Sequence, residues 1–173
     1  YIAVKWLVAA AAVVLAVIIT LPYLKQETDV RPLISQSNNV AGSTLVKTLD
    51  DGSIIYLISS AMMRYPSHFE STERKVQLRG EALFDVAHDT SRPFRIDTRD
   101  VTIQVLGTCF NVKSVEGKPF ELGVYRGAVR VTDKHNGTVM LVRAGQSVLR
   151  DNGRLVLSNN PPRDSIGRYY GNI

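Results

Sequence analysis

Three adjacent residues, Gly107-Thr108-Cys109, offer the residue types that do chemistry in this chain. A threonine hydroxyl attacks the carbonyl before it when the backbone there is strained, turning the amide into an ester by an N–O acyl shift. Hydrolysis of that ester would cut the chain between Gly107 and Thr108. Glycine permits the strained backbone and leaves its carbonyl unhindered. The plain alternative is a β-bulge that bends a strand, which glycine also marks. Cys109 adds a thiol, and a nucleophilic thiol needs a histidine to activate it and a cation at the oxyanion. Arg126 lies at a tolerable distance downstream, whereas His68 and His88 sit in no supporting motif.

Other groupings point away from turnover. His68, His88 and His135 lack metal-ligand spacing. His88 with Asp85 and Asp89 suggests acid–base work, but a turn between strands explains Asp89-Thr90 better. Glu81 has no paired carboxylate in fixed geometry. Gly80, Gly107, Gly127 and Gly145 form no phosphate loop and punctuate strands instead. Arg92, Arg95 and Arg99 alternate with apolar residues, as on a solvated strand face. No cofactor or metal is expected.

The elements that position these residues are short strands. Arg74 to Val112 holds four alternating runs, broken at Gly80-Glu81, Thr90 to Pro93, Asp100 and Gly107-Thr108. Phe84 and Val86, Phe94 and Ile96, and Val101, Ile103 and Val105 each follow a period of two. Upstream, Leu45, Lys47 and Leu49 share a face, and Asp51-Gly52 predicts a two-residue type I′ hairpin turn into the apolar run Ser53–Ile58. Ser59 to Thr72, with Tyr65-Pro66, predicts a loop or bulge. Downstream, Phe120–Val124, Val129–Val131, Val139–Leu141, Val148 and Leu155–Leu157 are separated by glycine-bearing turns. The pattern predicts an all-β sandwich or roll of many short, mostly antiparallel strands. Nothing after Tyr23 has a helical period.

The N-terminal run is different. Trp6 to Leu21 has Thr20 as its sole polar side chain, and Ile2 to Leu21 reaches the ~20 residues of a membrane span. Trp6 and Tyr23 sit where aromatic side chains favour the interface. A signal peptide would need a small-residue cleavage site, which Pro22-Tyr23-Leu24-Lys25 is not. A buried soluble helix would show a polar face. The division is therefore a transmembrane helix over 1–24, a linker over 25–39, a β-domain over 40–157 and the start of a following segment over 158–173. Lys5, Lys25 and Arg31 do not fix the orientation. The chain begins at Tyr1, not Met, as expected for a piece of a longer protein. Its 173 residues carry a net charge of +5 with both signs interspersed, which gives no nucleic-acid patch. One cysteine excludes an internal disulfide.

Two families resemble parts of this pattern. Leu106-Gly107-Thr108-Cys109 resembles the end of the Thr-Leu-x-Thr-Cys strand of sortases, membrane-anchored Cys transpeptidases, although Val105 stands where the threonine belongs. The broader resemblance is carried by DGSIIYL (51–57), RKVQLRGEALFDVAHDTSRPFRIDT (74–98), TIQVLGTCFNV (102–112) and ELGVYRGAVRV (121–131). In order and spacing these resemble the periplasmic domain of FecR-type anti-sigma factors. The motif positions are Asp51, Gly52, Gly80, Glu81, Phe84, Pro93, Phe94, Gly107, Thr108, Phe110 and Gly127.

That resemblance implies a single-pass inner-membrane protein with its β-domain in the periplasm. Its partners would be an extracytoplasmic-function sigma factor, held by a segment before Tyr1, and the signalling domain of a TonB-dependent outer-membrane receptor. That receptor's ligand is often an iron chelate or a glycan. The small domain that contacts the receptor would follow Asn159. The role implied is signalling by protein contact, with no enzyme activity beyond cleavage at Gly107-Thr108, a maturation step that several relatives are thought to share. A glycan-binding module would need exposed aromatics, but Phe84, Phe94, Phe110 and Phe120 lie in alternating runs that belong to a core.

Overall fold

The computed structural model describes residues 32–160 and 167–170. The expected membrane span lies outside them. Among the described residues no helix is long and apolar enough to cross a membrane.

The described residues form thirteen strands: β1 (Leu33–Ser37), β2 (Thr44–Thr48), β3 (Ile54–Ile58), β4 (Met62–Pro66), β5 (Arg74–Asp85), β6 (Phe94–Asp97), β7 (Val101–Val105), β8 (Cys109–Ser114), β9 (Phe120–Arg126), β10 (Ala128–Asp133), β11 (Val139–Arg143), β12 (Ser147–Asp151) and β13 (Arg154–Ser158). A one-turn helix, Gly167–Tyr170, follows.

Strand β5 organises the fold because it belongs to two sheets. Its first half pairs with β4 (Met63 opposite Leu78) and, in parallel, with β6 (Arg74 opposite Phe94). Its second half pairs with β3 (Ile55 opposite Phe84) and β8 (Phe84 opposite Phe110). One sheet runs β1-β4-β5-β6-β7-β10-β11 and the other β2-β3-β5-β8-β9-β12-β13. The strand turns the corner at Gly80, whose φ is +98°. A Cβ there would also lie 2.7 Å from the Ala61 Cα. A side chain at 80 would be strained by the backbone and blocked by Ala61. The crossing also explains how β5 and β6 run parallel over so short a connection. Parallel neighbours need a long crossover, and the second half of β5 together with the 86–93 loop supplies it.

One continuous core lies between the sheets. It includes Ile55, Leu57, Met63, Val76, Leu78, Phe84, Phe94, Ile96, Ile103, Phe110, Val124 and Val131. Phe84 stacks on Phe110 with ring centroids 5.4 Å apart and meets Phe94 edge-on at 6.3 Å. Phe120 joins the same core, as its alternating run predicts.

Several expectations need correction. The 25–39 linker contains β1, which pairs with β4 from Leu33 opposite Pro66 to Ser37 opposite Met62. The folded domain therefore begins before Val40. The sequence hides this strand because its side chains are largely exposed at a sheet edge. The 59–72 loop contains β4, with Pro66 as its last residue, where a missing N–H is tolerated. The break at Gly80-Glu81 is a bend inside a continuous strand. Asp51-Gly52 is not a two-residue type I′ turn. Leu49 N–H donates to Ser53 O and Gly52 N–H to Leu49 O, and of Asp51 and Gly52 only Gly52 has positive φ. This is the three-residue hairpin with glycine in the bulge position. A two-residue turn with positive φ at both positions occurs instead at Asn152-Gly153, between β12 and β13.

Candidate functional site

Several motif residues gather around Arg74 and the 86–93 loop, whereas Gly80 packs on Ala61 and Glu81 meets Tyr169. Arg74 takes the same strand face as Val76 and Leu78 and is fully buried. All five guanidinium N–H groups find acceptors. Nε donates to Arg92 O at 2.8 Å, one terminal nitrogen to Asp51 Oδ2 at 2.7 Å and Ala87 O at 2.9 Å, and the other to Leu106 O at 3.3 Å and Asp89 O at 3.4 Å. The guanidinium carbon also lies 5.3 Å from the Phe94 ring centroid. The Arg74 amide donates to Pro93 O. Asp51 also accepts from Ser53, the amide at Oδ1 and the hydroxyl at Oδ2. One cation thus ties the β2–β3 turn, the 86–93 loop and the end of β7 to β5.

The 86–93 loop is shaped by Asp89. Its carboxylate accepts from the Ser91 amide and hydroxyl and from the Arg92 amide and Nε. The Ser91 hydroxyl first, then the Arg92 side chain, hold this carboxyl well below the usual carboxylate range. Asp89 is a turn builder, as the sequence suggests.

Gly107 and Thr108 lie against this loop. Val86 N–H donates to Thr108 O and Asp89 N–H to Leu106 O. A Cβ on Gly107 would fall 2.5 Å from His88 Nδ1 and 2.7 Å from the His88 Cα. Glycine is therefore required here by close approach, and its φ lies outside the left-handed region. Thr108 is buried, and its hydroxyl donates to Ala128 O at 3.0 Å. Gly127, with φ of +83°, packs on the same pair, and a Cβ there would lie 3.0 Å from Thr108 Oγ1. The bulge falls just beyond: Cys109 is opposite Arg126 and Phe110 opposite Val124, so Tyr125 of β9 is the extra residue.

Cys109 is buried in a small cluster with Tyr56, Leu83 and Tyr169. Burial, with the Asp85 carboxylate adding to it and Arg126 opposing it, pushes the thiol up to about 11. An activated nucleophile has the opposite shift. Arg126 is committed to Asp85 at 2.7 Å. His68 lies beside Asp50 on the surface, and exposed His88 packs on Gly107. The sortase-like arrangement is therefore not assembled. Among the described residues no group of His, Cys, Asp and Glu is placed to hold a metal ion.

Beside Gly107 an open, mainly apolar groove of about 380 Å³ is lined by His88, Leu106, Thr108, Ala128 and Leu141 among others. Sequence reasoning missed Arg74 and Tyr169 as organising residues. The period of two in Arg74-Lys75-Val76-Gln77-Leu78 is the available signal for the first, since it puts an arginine on the apolar face. Tyr169 lies in a tail without periodicity, where no such signal exists.

These features define an all-β module whose distinctive residues hold two sheets and a loop together. The family described as FecR protein matches residues 38–130, more than half of the chain, and the chain belongs to that family. It is similar to two crystal structures of a candidate anti-sigma factor from Parabacteroides distasonis. Identity is 32% in each, with TM-scores of 0.71 and 0.70, covering 75% and 74% of this chain. The chain spans about six-tenths of those structures, 61% and 60%. No curated protein matches the sequence.

Proposed function

We propose that this chain belongs to a membrane-anchored anti-sigma factor that acts by protein contact. Residues 1–24 hold it in the bacterial inner membrane and place the β-domain in the periplasm. There it receives the signalling domain of a TonB-dependent outer-membrane receptor. The state of that contact passes across the membrane to an extracytoplasmic-function sigma factor. Regulation of iron uptake is one process such a relay serves. The FecR match over residues 38–130 carries this reading, and the similarity to candidate anti-sigma factors supports it. The arrangement around Gly107 is consistent with it, because the hydroxyl, thiol and guanidinium groups there serve packing.

The test is affinity purification of the tagged full-length protein from detergent-solubilised membranes of its host, followed by mass spectrometry. A sigma factor of the extracytoplasmic class should be enriched over an untagged control. Recovery without any sigma factor would count against the role.

A further inference from the structure

The outer face of the sheet containing β3, β5, β8 and β9 carries an apolar patch, bordered by Glu81, Asp85 and Asn111. Tyr56, Leu83 and Cys109 form a buried cluster separate from the main core, with Ile54, Ile58 and Tyr125 packed against it. A sheet face open to water would alternate with polar residues. Instead Ile54–Ile58 is an unbroken apolar run and Ala82–Phe84 is buried at every position. Strands read this way when both their faces are covered.

The cover comes from the helix Gly167–Tyr170. Tyr169, in the helix Gly167–Tyr170, is fully buried in this cluster. Its hydroxyl donates to Glu81 Oε1 at 3.0 Å. Burial first, and the Glu81 carboxylate next, hold the phenol far above its ordinary range, so it remains a neutral donor. Glu81, a motif position, thus serves this face and not a catalytic pair.

We propose that this outer patch is the docking surface for the chain's own helix Gly167–Tyr170, with Tyr169 as a releasable anchor. Seated, Tyr169 covers Cys109. Released, it bares the patch of Tyr56, Leu83, Cys109 and Tyr125. Tyr169 meets both Glu81 and Asn111 from a helix of a single turn, so a partner that binds the free segment shifts the population toward release. Under the proposed signalling role, this is a two-position element that a receptor contact would bias. The docking does not depend on that role, and its test needs neither receptor nor sigma factor.

Cys109 is the single cysteine, so thiol labelling reads the docked state. The full chain is treated with N-ethylmaleimide at neutral pH across low urea concentrations. Local release makes the wild-type rate nearly independent of urea, because little surface is exposed in the opening. Tyr169→Ala should label roughly tenfold faster or more, still without urea dependence, as expected for a lost local opening barrier. Tyr169→Phe keeps the ring and should stay closer to wild type. An unchanged rate in Tyr169→Ala would overturn the docking. A wild-type rate that climbs with urea in step with global unfolding would overturn its reversibility.

Discussion

The Arg74 guanidinium donates to the Asp51 carboxylate across 2.7 Å, with both side chains sealed from solvent. Such a pair holds only while both members and the surrounding acceptors are present. Removing one partner leaves a buried charge, which costs about 3–5 kcal/mol. Arg74→Met should lose that much in urea unfolding. Asp51→Asn keeps an acceptor oxygen and should lose less, about 1–3 kcal/mol. The double variant should be less destabilised than the sum. A loss under about 1 kcal/mol for Arg74→Met would be that of an ordinary surface position and would refute the keystone role.

The two close-approach glycines should differ from an unconstrained one. Gly107→Ala places a methyl group against the His88 backbone, an overpacking that costs about 1–3 kcal/mol. Gly80→Ala meets Ala61 and also carries positive φ, adding roughly 1–2 kcal/mol for a left-handed residue. Gly117 has φ of +72° with open space around it, so Gly117→Ala should show the backbone cost alone. The order Gly80, Gly107, Gly117 in denaturation midpoints checks this.

Acid should weaken the domain through specific carboxylates. Burial raises Asp133, but hydrogen bonds from Arg150 and the His135 amide outweigh it and leave the group below its ordinary range. Asp100 is lowered in the same way, with Arg99 and His135 outweighing burial. A depressed carboxylate stabilises the fold above its unfolded value, near 4, and loses that contribution as pH falls through the folded value. Urea midpoints should be flat from neutral pH down to about 5 and then drop. Asp133→Asn should reduce the drop. Equal acid sensitivity in wild type and variant would contradict the assignment.

The Gly107-Thr108 bond should remain intact. The Thr108 hydroxyl is donated to Ala128 O and Gly107 lies outside the left-handed region, and close packing on His88 accounts for the glycine without an acyl shift. Protein from the native host should run as one species on a denaturing gel. Thr108→Val should cost about 1 kcal/mol through the orphaned carbonyl. Two fragments that merge into one in Thr108→Ala would restore self-cleavage. The cut halves would stay joined through β5 and β8.

Much of the fold is legible in the sequence where one face is buried and the other wet. The alternation of Phe94-Arg95-Ile96-Asp97 gives strand and face together, and both agree with its burial. The aromatic core also follows from that period. Legibility fails where the usual contrast is missing. Strand β1 is exposed on both faces, so Leu33–Ser37 looks like linker. Strand β5 changes sheets at Gly80, so a bend resembles a break. In the site, Gly107-Thr108 stands out by residue type, but the reason for glycine is the His88 backbone, a contact between distant segments. Arg74 looks like one more surface cation until its carbonyl partners are known. Tyr169 becomes meaningful only beside Glu81.

Transcription from the promoter of the partner sigma factor is the most direct measure of the proposed role. A reporter on that promoter is compared in hosts with the full-length protein, without it, and with it plus the inducing receptor ligand. Loss of the protein should change basal reporter output several-fold and abolish the response to ligand, while re-expression restores both. Identical basal output and an intact ligand response without the protein would contradict the account.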